Sequence, residues 1–413
     1  MTATTASATV ATTAAGPLVD RAVFGVYLHV PFCRTRCHYC DFVTYTGMEA
    51  LRRPYAAALL SEAELAVGML GGARPMVTSV FVGGGTPTLL PPGDLGAVLR
   101  RLRELLPHAA RVEVTVEANP ETVDRELADG LLAAGVTRVS LGAQSFDDRV
   151  LAGLGRGHDA RRAGKAVATL RAAAEAAGRP LDLNLDLIFG CPGEEEASWE
   201  RTLAAALAIG PEHLSAYALT IEPATKFGRM VAAGSLAEPD EDVLADRYER
   251  TCAVLGAAGY GHYEVSNWAR GPRAAGGFPA HASLHNRTYW RRGAYLGLGA
   301  GAHEFAPGAD GTGSRRWNVH SVPEYLAAVH QGRRPTLGQE DLDAGQARFE
   351  ALALRLRTVD GLAPEEATAL GVDPAGPAAT ELCAAGLLTR DPGLRLTEHG
   401  MFLHAEVTSR LAP

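Results

Sequence analysis

Short apolar runs alternate with longer amphipathic stretches from residue 24 to residue 258. The runs predict the strands Phe24–Val30, Val77–Val82, Arg111–Glu117, Arg138–Leu141, Leu181–Phe189 and His213–Ile221. The amphipathic stretches predict the helices Pro54–Met69, Asp94–Leu106, Val123–Ala134, Asp159–Ala177, Glu195–Ile209 and Asp240–Ala258. Regular alternation of strand and helix predicts a parallel α/β sheet. Six such units fit either an incomplete barrel or part of a closed eight-fold one.

After Tyr260 the alternation stops. The stretch Gly271–Ala280 is rich in Gly, Ala and Pro, which predicts a loop, and glycine recurs at alternate positions of Tyr295–Gly301. Beyond Ser321 the pattern predicts a hairpin at 387–397 and the helices Val322–Gln331, Gln346–Thr358, Ala363–Leu370, Ala375–Ala385 and Glu398–Leu411. Helices with a short hairpin resemble a winged-helix module. Because no cluster of Lys and Arg marks a recognition helix, a packing or substrate-covering role is favoured over DNA binding.

These changes divide the chain into four predicted segments. They are a disordered tail at 1–22, a core barrel at 23–270, a connecting segment at 271–320 and a mainly helical domain at 321–413. The tail is rich in Thr and Ala, and Met1–Ala15 lacks the basic residues of a signal or transit peptide. A short capping helix is the alternative for this segment.

Composition narrows the functional classes. The 413 residues are 47% hydrophobic and 21% charged, which is ordinary for a globular protein and argues against a disordered or fibrous chain. No apolar run approaches the ~18–20 residues that cross a bilayer. The net charge of -8 argues against a nucleic-acid partner. We therefore expect a cytoplasmic protein with no integral membrane span.

Half of the six cysteines fall within eight residues, directly after the first predicted strand: Cys33, Cys37 and Cys40. A cubane iron–sulfur cluster held by protein alone uses four thiolates, and a structural zinc ion uses four ligands. Three local cysteines therefore predict a metal site with one position left open. A Cys3His zinc site that includes His29 or His38 is one alternative, and a redox dithiol at Cys37–Cys40 is another.

The motif Cys-x3-Cys-x2-Cys after a first barrel strand resembles the radical S-adenosylmethionine (SAM) superfamily. The preceding segment Tyr27–Phe32 and the glycine loop Gly83–Thr88 are similar to the oxygen-independent coproporphyrinogen III oxidase family. The match runs from Tyr27 to the C-terminus. It implies an α/β fold, an incomplete parallel (β/α)6 radical-SAM barrel, followed by a smaller, mainly helical, winged-helix-like domain. It also implies a [4Fe-4S] cluster whose fourth iron binds SAM, which an electron cleaves to a 5′-deoxyadenosyl radical.

The same resemblance implies which residues contact these cofactors. The three cysteines would ligate the cluster, and Arg156 would bind the SAM carboxylate. The other implied SAM contacts are Tyr27, Tyr39, Gly84, Gly85, Thr86, Glu117, Gln144 and Asp186. Asp186 also stands out on its own, because a carboxylate inside an apolar strand is costly to bury unless it binds something. A tight turn at the glycines and ordinary hydrogen bonds or salt bridges at the barrel mouth are the alternatives.

Two features distinguish the branches of this family. The oxidase branch has a fourth cysteine two residues after the third, where this chain has Phe42, and a longer N-terminal arm. The sequence around Cys40 and the stretch His-Asn-Arg-Thr-Tyr-Trp at 285–290 resemble instead the heme-chaperone branch, HemW. This branch implies heme as a third bound group.

His285 is the candidate heme ligand, since an imidazole can bind heme iron and Tyr289 and Trp290 can pack on a porphyrin face. The alternative is that His285 is a buried structural residue beside two core aromatic side chains. The sequence offers further candidates in His29, His38, His281 and His303.

The leading hypothesis is a heme chaperone that binds heme, a [4Fe-4S] cluster and SAM, and that passes heme to acceptor hemoproteins. A low-potential electron donor such as a flavodoxin or ferredoxin is the implied redox partner. One rival is radical decarboxylation of coproporphyrinogen III, for which Phe42 and the short N-terminus are unfavourable. The other is a radical enzyme acting on another substrate, because a shared fold does not fix the reaction.

Overall fold

A computed structural model describes residues 18–72, 74–273 and 277–413. Of the predicted tail at 1–22, residues 1–17 lie outside the described residues. Val19 and Asp20 are buried, and Asp20 donates its backbone N–H to the Arg291 carbonyl at 3.0 Å. The Asp20 carboxylate also lies 3.5 Å from Nη1 of Arg291. The packed part of the chain therefore begins before the first strand.

One sheet organises the fold. Its strands are β1 (Phe24–Val30), β2 (Val77–Gly84), β3 (His108–Ala118), β4 (Arg138–Gln144), β5 (Asp182–Phe189), β6 (His213–Ala218), β7 (Gly261–Glu264), β8 (Asn267–Ala269), β9 (Ala294–Leu298), β10 (His303–Pro307), β11 (Gly313–Asn318) and β12 (Thr336–Leu342). Their order in space is β12-β11-β10-β9-β1-β2-β3-β4-β5-β6-β8-β7. A separate hairpin pairs β13 (Leu388–Thr389) with β14 (Arg395–Leu396).

The seven strands from β9 through β1 to β6 are parallel, and the outer strands on both sides are antiparallel to their neighbours. The sheet is open, as an incomplete barrel requires. Side chains from β2 to β6 line one shared inner cavity, so the sheet has a concave face. Parallel strands bring their carboxyl ends to the same edge, which we call the mouth of the barrel.

Helices cover the outer face and build the C-terminal part of the chain. They are α1 (Arg52–Met69), α2 (Pro92–Leu105), α3 (Arg125–Ala133), α4 (Asp148–Leu154), α5 (Ala160–Ala176), α6 (Glu196–Ile209), α7 (Lys226–Ala232), α8 (Glu241–Ala257), α9 (Leu284–Trp290), α10 (Val322–His330), α11 (Ala344–Leu356), α12 (Pro364–Ala369), α13 (Pro377–Ala384), α14 (Glu398–Phe402) and α15 (His404–Leu411). Side-chain caps fix several starts; Asp159, for example, accepts the Arg162 N–H at 3.0 Å ahead of α5. None of the helices in the described ranges is both long enough and apolar enough to span a bilayer.

The segment predicted as a connection, 271–320, adds to the sheet. Its strand β9 pairs in parallel with β1, and β10 and β11 continue outward from it. The sequence did not predict β9, because glycines alternate in Tyr295–Gly301 and glycine has no side chain to produce the apolar pattern of a strand. The segment predicted to be helical from residue 321 likewise contributes β12. The single helix predicted at Glu398–Leu411 consists of two helices in the structure, α14 and α15, which meet at Leu403.

A buried carboxylate links α1 to this added sheet. Glu62 has no exposed surface, and it accepts hydrogen bonds from the Gly299 N–H at 2.7 Å, Asn318 Nδ2 at 2.7 Å and the Tyr325 hydroxyl at 2.8 Å. Burial raises its pKa to about 7, against the effect of these donors. Because one residue satisfies three donors from separate segments, it fixes β9, β11 and α10 against the barrel.

We expect Glu62→Ala to lower the free energy of unfolding by at least about 3 kcal/mol, since it leaves three buried donors without an acceptor. Glu64→Ala is the matched control on the same helix. Glu64 is half exposed and pairs with Arg101 on the surface, where an ion pair contributes only about 0–1 kcal/mol. Urea denaturation measures both variants, and equal losses would contradict the linking role of Glu62.

Candidate functional site

The three clustered cysteines lie on the loop that leaves β1 at the barrel mouth. They are free and half-buried: Cys33, Cys37 and Cys40. Backbone bonds fix the loop at both ends, because the Cys33 N–H donates to the Tyr45 carbonyl at 2.9 Å and the His38 N–H donates to the Leu154 carbonyl at 3.0 Å. The thiols are therefore held on one short, anchored segment.

Polar groups from other strands and loops contact two of the sulfurs. The Thr86 hydroxyl donates to Cys33 Sγ at 3.7 Å, and Arg156 Nη1 donates to Cys37 Sγ at 3.3 Å. Burial raises the pKa of Cys33 to about 11 and also raises that of Cys40, and the neighbouring thiols add to both effects. Thiols in this setting lose their protons when a metal centre compensates the charge. The site is thus suited to a cationic cluster.

No fourth protein ligand is in place among the described residues. The ring nitrogens of His29 bond Tyr27 Oη and the Val43 carbonyl, both at 2.9 Å. Those of His38 lie 2.8 Å from the Gly153 carbonyl and 2.9 Å from Lys226 Nζ. A Cys3His zinc site would need one of these nitrogens. The donor set therefore fits a [4Fe-4S] cluster with three cysteine ligands and one iron left open.

A cleft of about 730 Å³, partly open to solvent, adjoins the cysteines. Its walls contain most of the residues expected to contact SAM: Tyr39, Gly84, Gly85, Glu117, Gln144, Arg156 and Asp186. Asn119, Ser140 and Gly142 line it as well, although the sequence did not single them out. Each belongs to or directly follows β3 or β4, so a search for small and polar residues at strand ends would have found them.

The glycine loop after β2 brings its backbone close to the cysteine loop. Gly84 has φ of +110°, a conformation that side chains disfavour. A Cβ on Gly85 would lie 2.7 Å from the Phe32 carbonyl oxygen. The Gly85 N–H donates to the Val30 carbonyl at 2.8 Å and the Thr86 N–H to the Phe32 carbonyl at 2.7 Å. Glycine is thus required for this close approach, which favours the functional interpretation over a bare tight turn.

Two half-buried carboxyl groups, Glu117 and Asp186, face the cleft. Glu117 accepts the Gly84 N–H at 3.0 Å, and burial together with the nearby Asp186 raises its pKa to about 7. Asp186 accepts from the Ser140 hydroxyl at 2.7 Å and from Asn184 Nδ2 at 2.8 Å, and burial raises its pKa as well. A ligand with cationic or hydroxyl donors would relieve this burial cost. The pair therefore suits the amine and ribose of a bound nucleoside.

Arg156 crosses the cleft between the cysteine loop and β4. Its Nη2 donates to Asn119 Oδ1 at 2.6 Å and to the Gly142 carbonyl at 2.8 Å, and its buried Nε has no partner in the described chain. Nearby Gln144 has φ of +64°, where β4 and β5 shift register. Such backbone costs on the order of 1–3 kcal/mol and is concentrated at functional sites. Arg156 thus carries a positive charge and an unpaired N–H group beside the strained end of β4. This arrangement suits an anionic group of a ligand.

Two of the expected SAM contacts lie beside the cleft and do not line it. Thr86 is 1% exposed and joins Cys33 to Asn119, whose Nδ2 donates to its hydroxyl at 2.9 Å. Tyr27 bonds His29 and stacks on Phe81 with ring centroids 6.2 Å apart. In this structure both residues position neighbours of the cleft.

His285, the candidate heme ligand, lies inside the core. It is 0% exposed, and its ring nitrogens lie 2.9 Å from Ser79 Oγ and 2.8 Å from the Tyr289 hydroxyl. Burial lowers its pKa to about 4. Because both nitrogens have partners inside the core, this geometry favours the alternative of a buried structural histidine, and heme ligation by His285 stays a prediction. Trp290 is also buried, so the motif at 285–290 packs α9 beneath the barrel.

Comparison with known proteins agrees with the cysteine motif. The family model described as the Radical SAM superfamily matches residues 27–206. A heme chaperone HemW from Mycobacterium tuberculosis is 44% identical over 344 residues, which cover 82% of this chain and 83% of that protein. A heme chaperone HemW from Escherichia coli is 35% identical and covers 92% and 96%. The solved structure of coproporphyrinogen III oxidase (HemN) from Escherichia coli has the same fold, with TM-score 0.76, 21% identity and 97% and 91% coverage.

We expect Cys33→Ala, Cys37→Ala and Cys40→Ala each to abolish the broad visible absorbance of the anaerobically reconstituted protein, because two thiolates do not hold a cubane cluster. Cys383→Ala is the matched control, since Cys383 is also half-buried but lies on α13, away from the mouth. Iron and sulfide analysis gives the second measurement. Full iron content in any of the three loop variants would contradict the ligand assignment.

Proposed function

Because this chain belongs to the HemN/HemW family of the radical SAM superfamily, we propose that it is a heme chaperone that also carries a [4Fe-4S] cluster and SAM. In this proposal it passes heme to acceptor hemoproteins in the cytoplasm. A flavodoxin or ferredoxin would supply electrons. The observation that carries the proposal is the 44% identity to a relative named heme chaperone HemW, over more than four fifths of both chains.

The cluster and SAM would occupy the mouth of the barrel. Cys33, Cys37 and Cys40 would hold three irons, and Thr86 and Arg156 would donate hydrogen bonds to the sulfur ligands as they do in the structure. When bound, the cluster supplies one-electron chemistry at its open iron. The role of the chain is to anchor this centre and to keep a fourth side chain away from it.

The residues of the cleft would orient SAM against the open iron. Arg156 would pair with its carboxylate, while Glu117 and Asp186 would accept hydrogen bonds from its amine and ribose hydroxyls. Their raised pKa values mean that a cationic or hydroxyl donor is needed to stabilise the ionised carboxylates. The backbone at Gly84 and Gly85 leaves room for the small polar end of the ligand.

Coproporphyrinogen III oxidation is the second candidate, because the HemN enzyme has the same fold. At 21% identity this match concerns the fold alone. Phe42 stands where the oxidase branch has a further cysteine, and its side chain is 63% exposed at the edge of the cleft. An exposed aromatic side chain cannot replace a thiol in metal or radical chemistry, which favours the chaperone role.

A direct test measures both activities, heme transfer and coproporphyrinogen III oxidation, on the same protein under anaerobic conditions. We expect the reconstituted protein to retain heme after desalting and to transfer it to apomyoglobin, as followed by the Soret band. With coproporphyrinogen III, SAM and a reductant, we expect no protoporphyrinogen. Formation of protoporphyrinogen, or failure to retain any heme, would overturn the proposal.

A second prediction concerns SAM. Arg156→Met should leave the iron content unchanged but raise the Kd for SAM at least about tenfold, because it removes a charge-assisted hydrogen bond. Arg149→Met, on the exposed face of α4, is the control. The change that SAM causes in the EPR spectrum of the reduced cluster reports binding. An unchanged SAM titration in Arg156→Met would exclude the assigned contact.

A further inference from the structure

A second group of metal-binding side chains lies where the last long helix of the barrel meets the C-terminal helices. Cys252 belongs to α8, His262 belongs to β7 at the edge of the sheet, and Glu398 is the first residue of α14. One ligand atom from each residue, a sulfur, a ring nitrogen and a carboxylate oxygen, lies within 4.8 Å of the other two. The fold thus brings three different donors from three separate segments to one point.

The types of donor indicate which ion would bind. Thiolate, imidazole and carboxylate are the side-chain groups that zinc uses as ligands in proteins, at bond lengths of about 2.0–2.3 Å. Magnesium and calcium prefer sites made of oxygen atoms. Because two of the three donors here are sulfur and nitrogen, the group suits zinc.

The His262 ring is held in position mainly by packing. It stacks on the Trp268 indole with centroids 4.4 Å apart and an angle of 8°. Its Nε2 lies 3.4 Å from both the Tyr248 hydroxyl and the Val265 carbonyl oxygen, which is longer than an ordinary hydrogen bond. Burial lowers the pKa of His262 to about 4, so the ring has the neutral form that binds metal ions.

Other contacts hold α14 against α8 at the same place. The Phe402 ring of α14 lies against the Tyr248 ring of α8, with centroids 5.4 Å apart. His399, which follows Glu398, has its Nδ1 3.3 Å from Oε1 of Glu249 on α8. The position of Glu398 beside Cys252 therefore follows from the packing of two helices.

An ion at this point would stabilise two groups that otherwise repel each other. Cys252 is buried, and burial together with the nearby Glu398 carboxylate raises the pKa of its thiol to about 12. A cation between the two would stabilise thiolate and carboxylate together. Glu398 is exposed to solvent, so the ion has a path of entry, and a water molecule can be the fourth ligand.

We propose that Cys252, His262 and Glu398 bind a zinc ion that joins the edge of the sheet to the C-terminal helices. The ion ties α8 and β7 of the barrel to α14, and so holds the C-terminal part of the chain in place. The proposal does not depend on the heme-chaperone function, since none of the three residues lines the cleft beside the cysteine loop.

The test is zinc binding by the full-length protein with its iron–sulfur cluster in place, because the cluster occupies the three thiols of the loop. Protein washed with chelator is titrated with zinc chloride, and bound zinc is measured by mass spectrometry of the metal. We expect one zinc ion per chain in the wild type. Cys252→Ala and Glu398→Gln should each raise the Kd for zinc at least about tenfold, since even residues that only support metal ligands contribute about 10–100-fold.

Two matched variants control for the loss of a thiol or a carboxylate elsewhere. Cys383→Ala removes a half-buried thiol from α13, and Glu406→Gln removes an exposed carboxylate from α15. Both should bind zinc like the wild type. An equal Kd in wild type and Cys252→Ala, or no zinc bound by the wild type, would overturn the proposal.

X-ray absorption at the zinc K edge identifies the ligands without interference from iron. We expect one sulfur at about 2.3 Å together with nitrogen and oxygen ligands at about 2.0–2.2 Å. The sulfur contribution should disappear in Cys252→Ala. Three sulfur ligands that persist in Cys252→Ala would place the zinc on the cysteine loop and would exclude the proposed site.

Thermal unfolding separates the loss of a ligand from a defect in folding. Glu398→Gln keeps the size of an exposed side chain, so without zinc it should have the Tm of the wild type. Added zinc should raise the Tm of the wild type, because an ion that binds only the folded state stabilises it. The same rise in Glu398→Gln would count against the joining role of the ion.

Discussion

The candidate site can form only because the central strands of the sheet all run in the same direction. Strand β1 lies between β2 and β9, and all three run in the same direction. The loop that follows β1 therefore meets the glycine loop after β2 and the turn after β9 at one edge. Three thiols, two carboxyl groups and a guanidinium converge there although they come from segments up to 153 residues apart, from Cys33 to Asp186.

The ionisable groups at this edge carry an unfavourable burial cost in the free chain. Burial opposes ionisation of Cys33, Glu117 and Asp186, since it raises all three pKa values. Arg156 contributes one positive charge and divides it between a sulfur and two oxygens. A metal cluster and a zwitterionic nucleoside would bring the missing cationic groups. Ionisable groups with shifted pKa values that converge in a cleft are typical of a binding centre.

The sequence was most informative where apolar periodicity and motif spacing coincide. Strand β1 was predicted with its observed ends, Phe24 and Val30, because seven mostly apolar residues, six of them buried in the structure, precede a proline. Strands β9 to β12 were missed, because glycine and charged residues weaken the alternating pattern at an outer part of a sheet. For His285 the sequence left two roles open, a heme ligand and a buried structural residue. Its two partners, Ser79 and Tyr289, include one that is 206 residues away, so only the fold shows that both nitrogens are used.

Mössbauer spectroscopy of protein reconstituted with ⁵⁷Fe resolves the individual iron sites of a cluster, so it shows whether one iron lacks a cysteine ligand. We expect a [4Fe-4S] cluster in which one iron changes its spectrum when SAM is added, while the other three keep cysteine ligation. Four equivalent irons that do not respond to SAM, or a protein that binds zinc and no iron, would contradict it.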